Sequence, residues 1–206
     1  MKVNDMKARL LNLEETFKKH ESELTELDRA IGDGDHGVNM VRGFSSLKDK
    51  LDDSSMQSLF KSTGMALMSN VGGASGPLYG FSFVKMSAVT KDDMDNQDFI
   101  TLIQAFAEAV ESRGKVTLNE KTMYDVVARA AEKLENGETL TFNDLQQLAD
   151  NTKDMVATKG RAAYFGEESK GYIDPGAQSM VLHLIKSKLQ KNHLNQYFHF
   201  EYMYLK

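Results

Sequence analysis

Apolar residues recur three and four positions apart along most of the chain, between short polar connections, and this period predicts helix after helix. Residues 3–20 place Met6, Leu10, Leu11, Leu13 and Phe17 on one face among Lys, Arg and Glu, and residues 22–27 continue helically into Asp28. A helix capped by Asp35 carries Val38, Val41 and Phe44 toward Leu51, and Ser54 or Ser55 caps another through Leu59, Phe60 and Met65 to Met68. Pro77 opens a mostly buried helix through Leu78, Tyr79, Phe81, Phe83, Val84 and Met86. The Phe81/Phe83 alternation mimics a strand, but nothing hairpin-like follows it. Residues 99–111, 122–134 and 141–156 give three more helices, the second stopped by Asn136-Gly137 and the third with Leu145, Leu148 and Met155 inside. Asp174 as cap and Pro175 as first helical residue begin the segment through Met180, Leu182, Leu184 and Ile185. Antiparallel neighbours are expected from such short connections, so the fold class is all-α.

Three stretches break this pattern, and all are rich in glycine. The first, residues 28–42, holds Asp28, Asp33 and Asp35 within eight positions, with Gly32, Gly34 and Gly37 between and beyond them. Clustered carboxylates repel one another unless a cation sits among them, and hard oxygen donors suit Mg2+. A solvated acidic turn is the plain alternative. An EF-hand is excluded: counted from Asp33, the twelfth position that needs a bidentate carboxylate is Phe44, and the fifth is Gly37.

The second stretch, Val71-Gly72-Gly73-Ala74-Ser75-Gly76, lacks the Gly-Lys-Ser or Gly-Lys-Thr of a P-loop and the strand and downstream acid of a dinucleotide fingerprint. Taken alone it also reads as a tight turn between helices. The third runs over residues 159–177. Both prolines, Pro77 and Pro175, fall at predicted helix starts, as do Asp35-His36-Gly37, Ser75-Gly76-Pro77 and Asp174-Pro175-Gly176. Free amides and the positive dipole end make a helix N-terminus a phosphate site, so three such ends beside a carboxylate-bound Mg2+ form a nucleotide phosphate pocket.

Length and composition narrow this reading. A chain of 206 residues with 41% hydrophobic content supports one sizeable core, expected over residues 1–190, followed by an aromatic tail over 191–206. No cysteine is present, which excludes disulfides, thiolate nucleophiles and Cys-bound zinc, and the five histidines show no zinc-helix pair. Metal chemistry therefore falls to carboxylates. A net charge of −5 argues against a duplex nucleic-acid partner. With no apolar leader and no apolar run long enough to span a bilayer, a cytoplasmic protein without membrane contact is expected. The lysine, catalytic-loop and Asp-Phe-Gly elements of protein kinases are missing.

Taken together, the motifs resemble the nucleotide-binding L subunit of dihydroxyacetone kinase. The matching residues are Asp28 with Ile31-Gly32-Asp33-Gly34-Asp35-His36-Gly37 and Asn39-Met40, then Val71-Gly72-Gly73-Ala74-Ser75-Gly76-Pro77-Leu78-Tyr79-Gly80. Lys121-Thr122-Met123, then Gly160-Arg161-Ala162 through Tyr164, Gly166-Glu167, Ser169, Gly171 and Asp174-Pro175-Gly176-Ala177 complete the set. The resemblance implies eight antiparallel helices in an up-and-down barrel, with a tightly bound ADP and two Mg2+ at one end. It assigns Asp28, Asp33 and Asp35 to the metals, and His36, Gly37, Asn39, Ala74, Ser75, Met123, Arg161, Asp174, Pro175 and Gly176 to the nucleotide. In one respect the chain departs from the pattern: Leu118-Asn119-Glu120 stands where the family usually has Gly-Asp before Lys-Thr-Met.

The resemblance further implies that ADP stays bound as a cofactor and is rephosphorylated by a phosphohistidine protein of the sugar phosphotransferase system. A second partner subunit holds dihydroxyacetone, and a homodimer is compatible with the family. Phosphoryl transfer asks mainly for charge neutralisation and alignment, so no general base is required of this chain. Arg161 has two readings, a nucleotide contact or an ion pair with Glu167. A regulatory subunit whose nucleotide state a partner senses, or a kinase module for another acceptor such as the related fatty-acid kinase module, are the competing functions.

Overall fold

The computed structural model describes residues 1–188; the aromatic segment 191–206 lies outside the described residues. Nine α-helices form among them: α1 (Val3–Lys19), α2 (Glu21–Ile31), α3 (His36–Ser45), α4 (Met56–Asn70), α5 (Ser75–Ser87), α6 (Asn96–Gly114), α7 (Met123–Glu135), α8 (Phe142–Asp150) and α9 (Pro175–Lys188). The resemblance implies eight; α1 and α2 are separated by His20 alone. Short 3-10 segments cover Ser46–Asp49, Asn151–Asp154 and Arg161–Ser169.

Two helices end earlier than their apolar pattern. α3 gives way to a 3-10 turn before Leu51, where the Ser46 hydroxyl donates to the Gly43 carbonyl at 2.7 Å, and α8 does the same where Thr152 donates to Ala149 at 2.6 Å. A hydroxyl bonded three residues back competes with the α-helical ladder. Met155 consequently sits half-buried beyond the helix, outside the core where periodicity placed it. α5 begins at Ser75, two residues before Pro77, which lies in its first turn. The other caps follow the sequence: Ser55 accepts from the Ser58 amide at 3.0 Å, and Asp174 accepts from Ala177 at 2.7 Å.

Packing runs in a circuit from α1 to α3, α4, α5, α6, α7 and α9 and back to α1, with α2 laid on α3 and α9 and α8 on α7 and α9. α4 and α5 approach most closely. A Cβ on Gly64 would lie 2.6 Å from the Gly80 carbonyl oxygen, and one on Gly80 would lie 2.7 Å from that of Gly64, so only paired glycines allow this approach. Inside the circuit, Phe44, Tyr79, Phe83 and Phe106 surround His183 with ring centroids 5.5 to 6.4 Å away. Tyr79 Oη and Ser179 Oγ share a hydrogen bond of 3.1 Å there. Burial pushes the His183 pKa down to about 4, so it serves the core as a neutral ring. No helix among the described residues is long and apolar enough to cross a membrane.

Candidate functional site

The ends of the helices, more than their sides, shape a cavity of about 650 Å³. The first residues of α3, α5, α7 and α9, namely His36, Ser75, Met123 and Pro175, all line it. Four helix N-termini thus face one space, where the sequence pointed to three; α7 is the addition as a helix end, although the resemblance already assigned its first residue, Met123, to the nucleotide. Free amides and aligned dipoles favour an anion there.

At one end of this cavity Asp28, Asp33 and Asp35 each offer a carboxylate oxygen, and the three lie within 4.8 Å of one another. Asp35 stands at the N-cap of α3, yet its side chain does not cap the helix. Asp28 does so from α2: its Oδ2 accepts from the amides of Asp35 at 2.8 Å and His36 at 3.1 Å. One buried carboxylate therefore closes the loop and presents its remaining lone pairs to the cluster. Asp33 and Asp35 are exposed at the rim. Arg161 reaches across from the 3-10 segment and pairs with Asp33, while Glu167 pairs with Lys170 at 2.8 Å. Three carboxylate oxygens this close are a hard donor set that fits Mg2+, and Arg161 offsets part of their charge until a cation takes its place.

Next to the triad, His36 Nδ1 lies 3.3 Å from Ser75 Oγ, joining the starts of α3 and α5. His36 is buried at 7% exposure, and burial pushes its pKa down to about 4, against the nearby Asp28 and Asp35. The Pro175 backbone lies close, but among the described residues no group meets His36 Nε2 in hydrogen-bonding geometry. A buried polar nitrogen on a cavity wall without a partner suits a ligand oxygen. Asn39, Ala74, Ser75, Arg161, Asp174, Pro175 and Gly176 line the same space. Gly37 stands apart from the lining: a Cβ there would fall 2.2 Å from the Glu21 carbonyl oxygen, so it seats α3 against α2.

Apolar side chains, Leu78, Val110, Val116 and Met123, also line the cavity, together with Arg113 and Gly114 from the C-terminal end of α6 and the 91% exposed Tyr164. Periodicity assigned Val110 to a helix core, and nothing in its spacing signalled a cavity wall. Burial also raises the Asp174 carboxyl to about 7, opposed by its hydrogen bond from Ala177 and by the nearby Lys121.

Residues 30–187 match the DAK2 domain. The chain belongs to the DAK2 domain family. This DAK2 chain is 45% identical over 172 residues to the ADP-binding subunit DhaL of PEP-dependent dihydroxyacetone kinase 1 of Listeria innocua, covering 82% of the chain and 86% of that relative. It is 42% identical over 168 residues to the ADP-binding subunit DhaL of the PTS-dependent dihydroxyacetone kinase of Lactococcus lactis, covering 80% and 85%. The Escherichia coli PEP-dependent counterpart is 38% identical over 180 residues, at 80% and 86%. Among solved structures, the dihydroxyacetone kinase of C. freundii in its native form superposes with a TM-score of 0.69 at 23% identity, over 88% of this chain and 33% of that one. Its complex with AMP-PNP and Mg2+ gives 0.68 at 20% identity, with the same coverage. At these identities the likeness is one of fold.

The departure from the DAK2 pattern before Lys121 has a structural resolution. Asn119 adopts φ 69°, in the left-handed region that glycine ordinarily fills and that asparagine tolerates best among the other residues. Its amide donates to Asp125 Oδ1 at 2.5 Å and its Oδ1 accepts from Arg129 at 2.6 Å, so the turn is kept and tied to α7. Glu120 lies outside the cavity lining and accepts from the Thr117 amide at 2.7 Å and the Thr158 hydroxyl at 2.9 Å, with Lys159 at 3.6 Å.

Proposed function

We propose that this DAK2 chain is the ADP-holding subunit of a dihydroxyacetone kinase, which accepts a phosphoryl group from a phosphohistidine protein of the phosphotransferase system and passes it to dihydroxyacetone on a partner subunit. The observation that carries the reading is the convergence of three aspartates and four helix N-termini on one cavity that apolar side chains also line. Such a space has a metal-binding wall, a phosphate-binding wall and a base-sized apolar wall. The Listeria and Lactococcus relatives, named as ADP-binding subunits of dihydroxyacetone kinases, support ADP as the nucleotide and a separate subunit as the holder of dihydroxyacetone.

In this reading Asp28, Asp33 and Asp35 would hold two Mg2+, which when bound would supply the positive charge that neutralises the negative charge spread over the nonbridging phosphate oxygens. His36 Nε2, the Ser75 hydroxyl and the amides left free at the starts of α5 and α9 bind those oxygens. Arg161, already at the rim, exchanges its contact with Asp33 for the phosphates. Leu78, Val110, Val116 and Met123 exclude water around the base, and Asn39 and the Asp174-Pro175-Gly176 turn complete the walls. The chain's own work is to hold, align and dehydrate, because the acceptor hydroxyl sits on the partner.

Native mass spectrometry of freshly purified protein tests the binding half: the expected mass exceeds that of the chain by one ADP and two Mg2+. Labelled ADP is expected to stay in place through many turnovers when a phosphohistidine donor and the dihydroxyacetone-binding subunit are supplied. Rapid wash-out into excess ATP, with ATP alone sustaining full activity, would replace this reading with an ordinary ATP-dependent kinase.

A further inference from the structure

Lys121 is among the largest fully buried side chains of the chain, at 1% exposure, and its backbone is held at φ 61°, a conformation that residues with a Cβ seldom adopt. A residue keeps such a conformation only where its surroundings over-determine it. From one side, Asp125 does so, its Oδ2 accepting from the Thr122 amide at 2.9 Å and its Oδ1 from Asn119. From the other, the Lys121 ammonium donates to two carbonyl oxygens, Thr152 at 2.6 Å and Tyr172 at 2.5 Å. Thr152 belongs to the 3-10 turn after α8, and Tyr172 lies two residues before Asp174.

These two carbonyls lead directly to the start of α9. Thr152 Oγ1 accepts from the Asp174 amide at 3.0 Å, and the Gly171 amide donates to the Lys153 carbonyl at 2.8 Å, so one ammonium and two further bonds bind the strip before α9 to the end of α8. Lys121 immediately precedes Thr122 and Met123, the N-cap and first residue of α7. A Cβ added to Gly176 would lie 3.6 Å from Met123 Cβ, which puts the starts of α7 and α9 in contact at the cavity wall. Lys121, Met123, Asp174 and Gly176 all line the cavity. Burial lowers the lysine's proton affinity, while Asp174 and Asp154 oppose that change. An ammonium desolvated in this way is costly to keep unless its hydrogen bonds are made.

We propose that Lys121 is a positioning residue of the nucleotide site, its ammonium joining Thr152 and Tyr172 beneath the Asp174-Pro175-Gly176 turn so that the N-termini of α7 and α9 meet the ligand as one rigid wall. The inference rests on the nucleotide reading of the cavity, and it assigns Lys121 no contact with the reacting atoms. Replacing it by Met keeps the length of the stem and removes the donors, so that the Tyr172 carbonyl loses the ammonium and the Thr152 carbonyl keeps only the Met155 amide, at 3.2 Å.

The test uses the full chain. Hydrogen exchange of the ligand-free Lys121→Met protein is expected to speed up at least tenfold at the Asp174 and Ala177 amides, with α1 amides unchanged, and Mg-ADP affinity measured by calorimetry is expected to fall at least tenfold. Glu14→Gln is the control for stability alone: it breaks the buried Glu14 pairs with Lys18 and Lys48, both at 2.9 Å, far from the cavity lining, and should leave ADP affinity unchanged. Wild-type exchange at Asp174 and Ala177, or wild-type ADP affinity, in Lys121→Met would overturn the proposal. Failure of the wild-type protein to bind Mg-ADP would instead overturn the nucleotide reading, and exchange would still decide whether Lys121 holds the turn. Should Lys121→Met not fold, Lys121→Gln decides in its place: its shorter side chain cannot join both carbonyls and is expected to give the same gains in exchange and loss of affinity. Thr152→Val, which removes only the hydroxyl that accepts from Asp174 and leaves the Lys121 bonds in place, serves as the reference for a loosened turn.

Discussion

Gly37 and His183 both belong to the sequence's conspicuous residues, and the structure gives each a use that its type does not announce. Gly37 sits inside the motif of the acidic loop, yet it touches α2 and not the cavity. Its missing Cβ lets the start of α3 lie against Glu21 and Thr25, since a carbon there would fall 2.2 Å from the Glu21 carbonyl oxygen and 2.5 Å from Thr25 Oγ1. Gly37→Ala gains about 1 kcal/mol in helix propensity and loses about 1–3 kcal/mol to overpacking against backbone, so a net fall in melting temperature is expected in a thermal scan. Because α2 carries Asp28 and α3 follows Asp35, Mg2+ affinity should fall with it. His183 is buried neutral, its folded pKa of about 4 lying below the ordinary 6.5. The unfolded chain then binds the proton first, so this residue's contribution is complete above about pH 6.5 and is lost as pH falls toward 4. Urea unfolding at a series of pH values should show His183→Leu losing less stability than the parent across that interval, by roughly 2–3 kcal/mol.

At the scale of elements, the helix ends carry both fold and site. α7 starts with a complete capping box in which Thr122 accepts from the first-turn amides while Asp125 accepts from the Thr122 amide at 2.9 Å. Thr122→Ala is expected to cost about 1 kcal/mol in denaturant unfolding, as for other N-cap replacements. It should also weaken nucleotide binding, since the cap and Met123 share the cavity wall. Removing the equivalent cap of α8, Thr141, costs similar stability with no effect on the ligand, because α8 turns its start away from the cavity lining. An equal loss of affinity in the two variants would show that the effect comes from stability and not from the wall.

Across the whole molecule, ligand binding and folding are linked. The three aspartates come together only in the folded chain, and mutual repulsion opposes that gathering until a cation joins them. Mg-ADP at about a hundred times its dissociation constant contributes roughly 2.7 kcal/mol to stability, which moves a melting temperature by several degrees. Chelator should therefore lower the melting temperature of the parent clearly and that of Asp33→Asn much less. Equal sensitivity in both proteins would mean that the acidic loop is a surface turn without a metal.

The nine helical segments, the caps at Ser55 and Asp174, and the clustering of Asp28, Asp33 and Asp35 were legible in the sequence, because each depends on spacing within a few residues. Local rules failed where a distant group competes. Asp28, not Asp35, caps α3, since a carboxylate seven residues upstream reaches the free amides first. Arg161 pairs with Asp33 and not with its near neighbour Glu167, because the 3-10 segment carries it across the cavity mouth. The apolar residues Val110 and Val116 became a cavity wall, and Lys121 a buried tie between α7 and α9, only once the helices were packed. Periodicity reports which face of a helix avoids water; whether another side chain or a ligand covers that face is decided by how the helix ends converge.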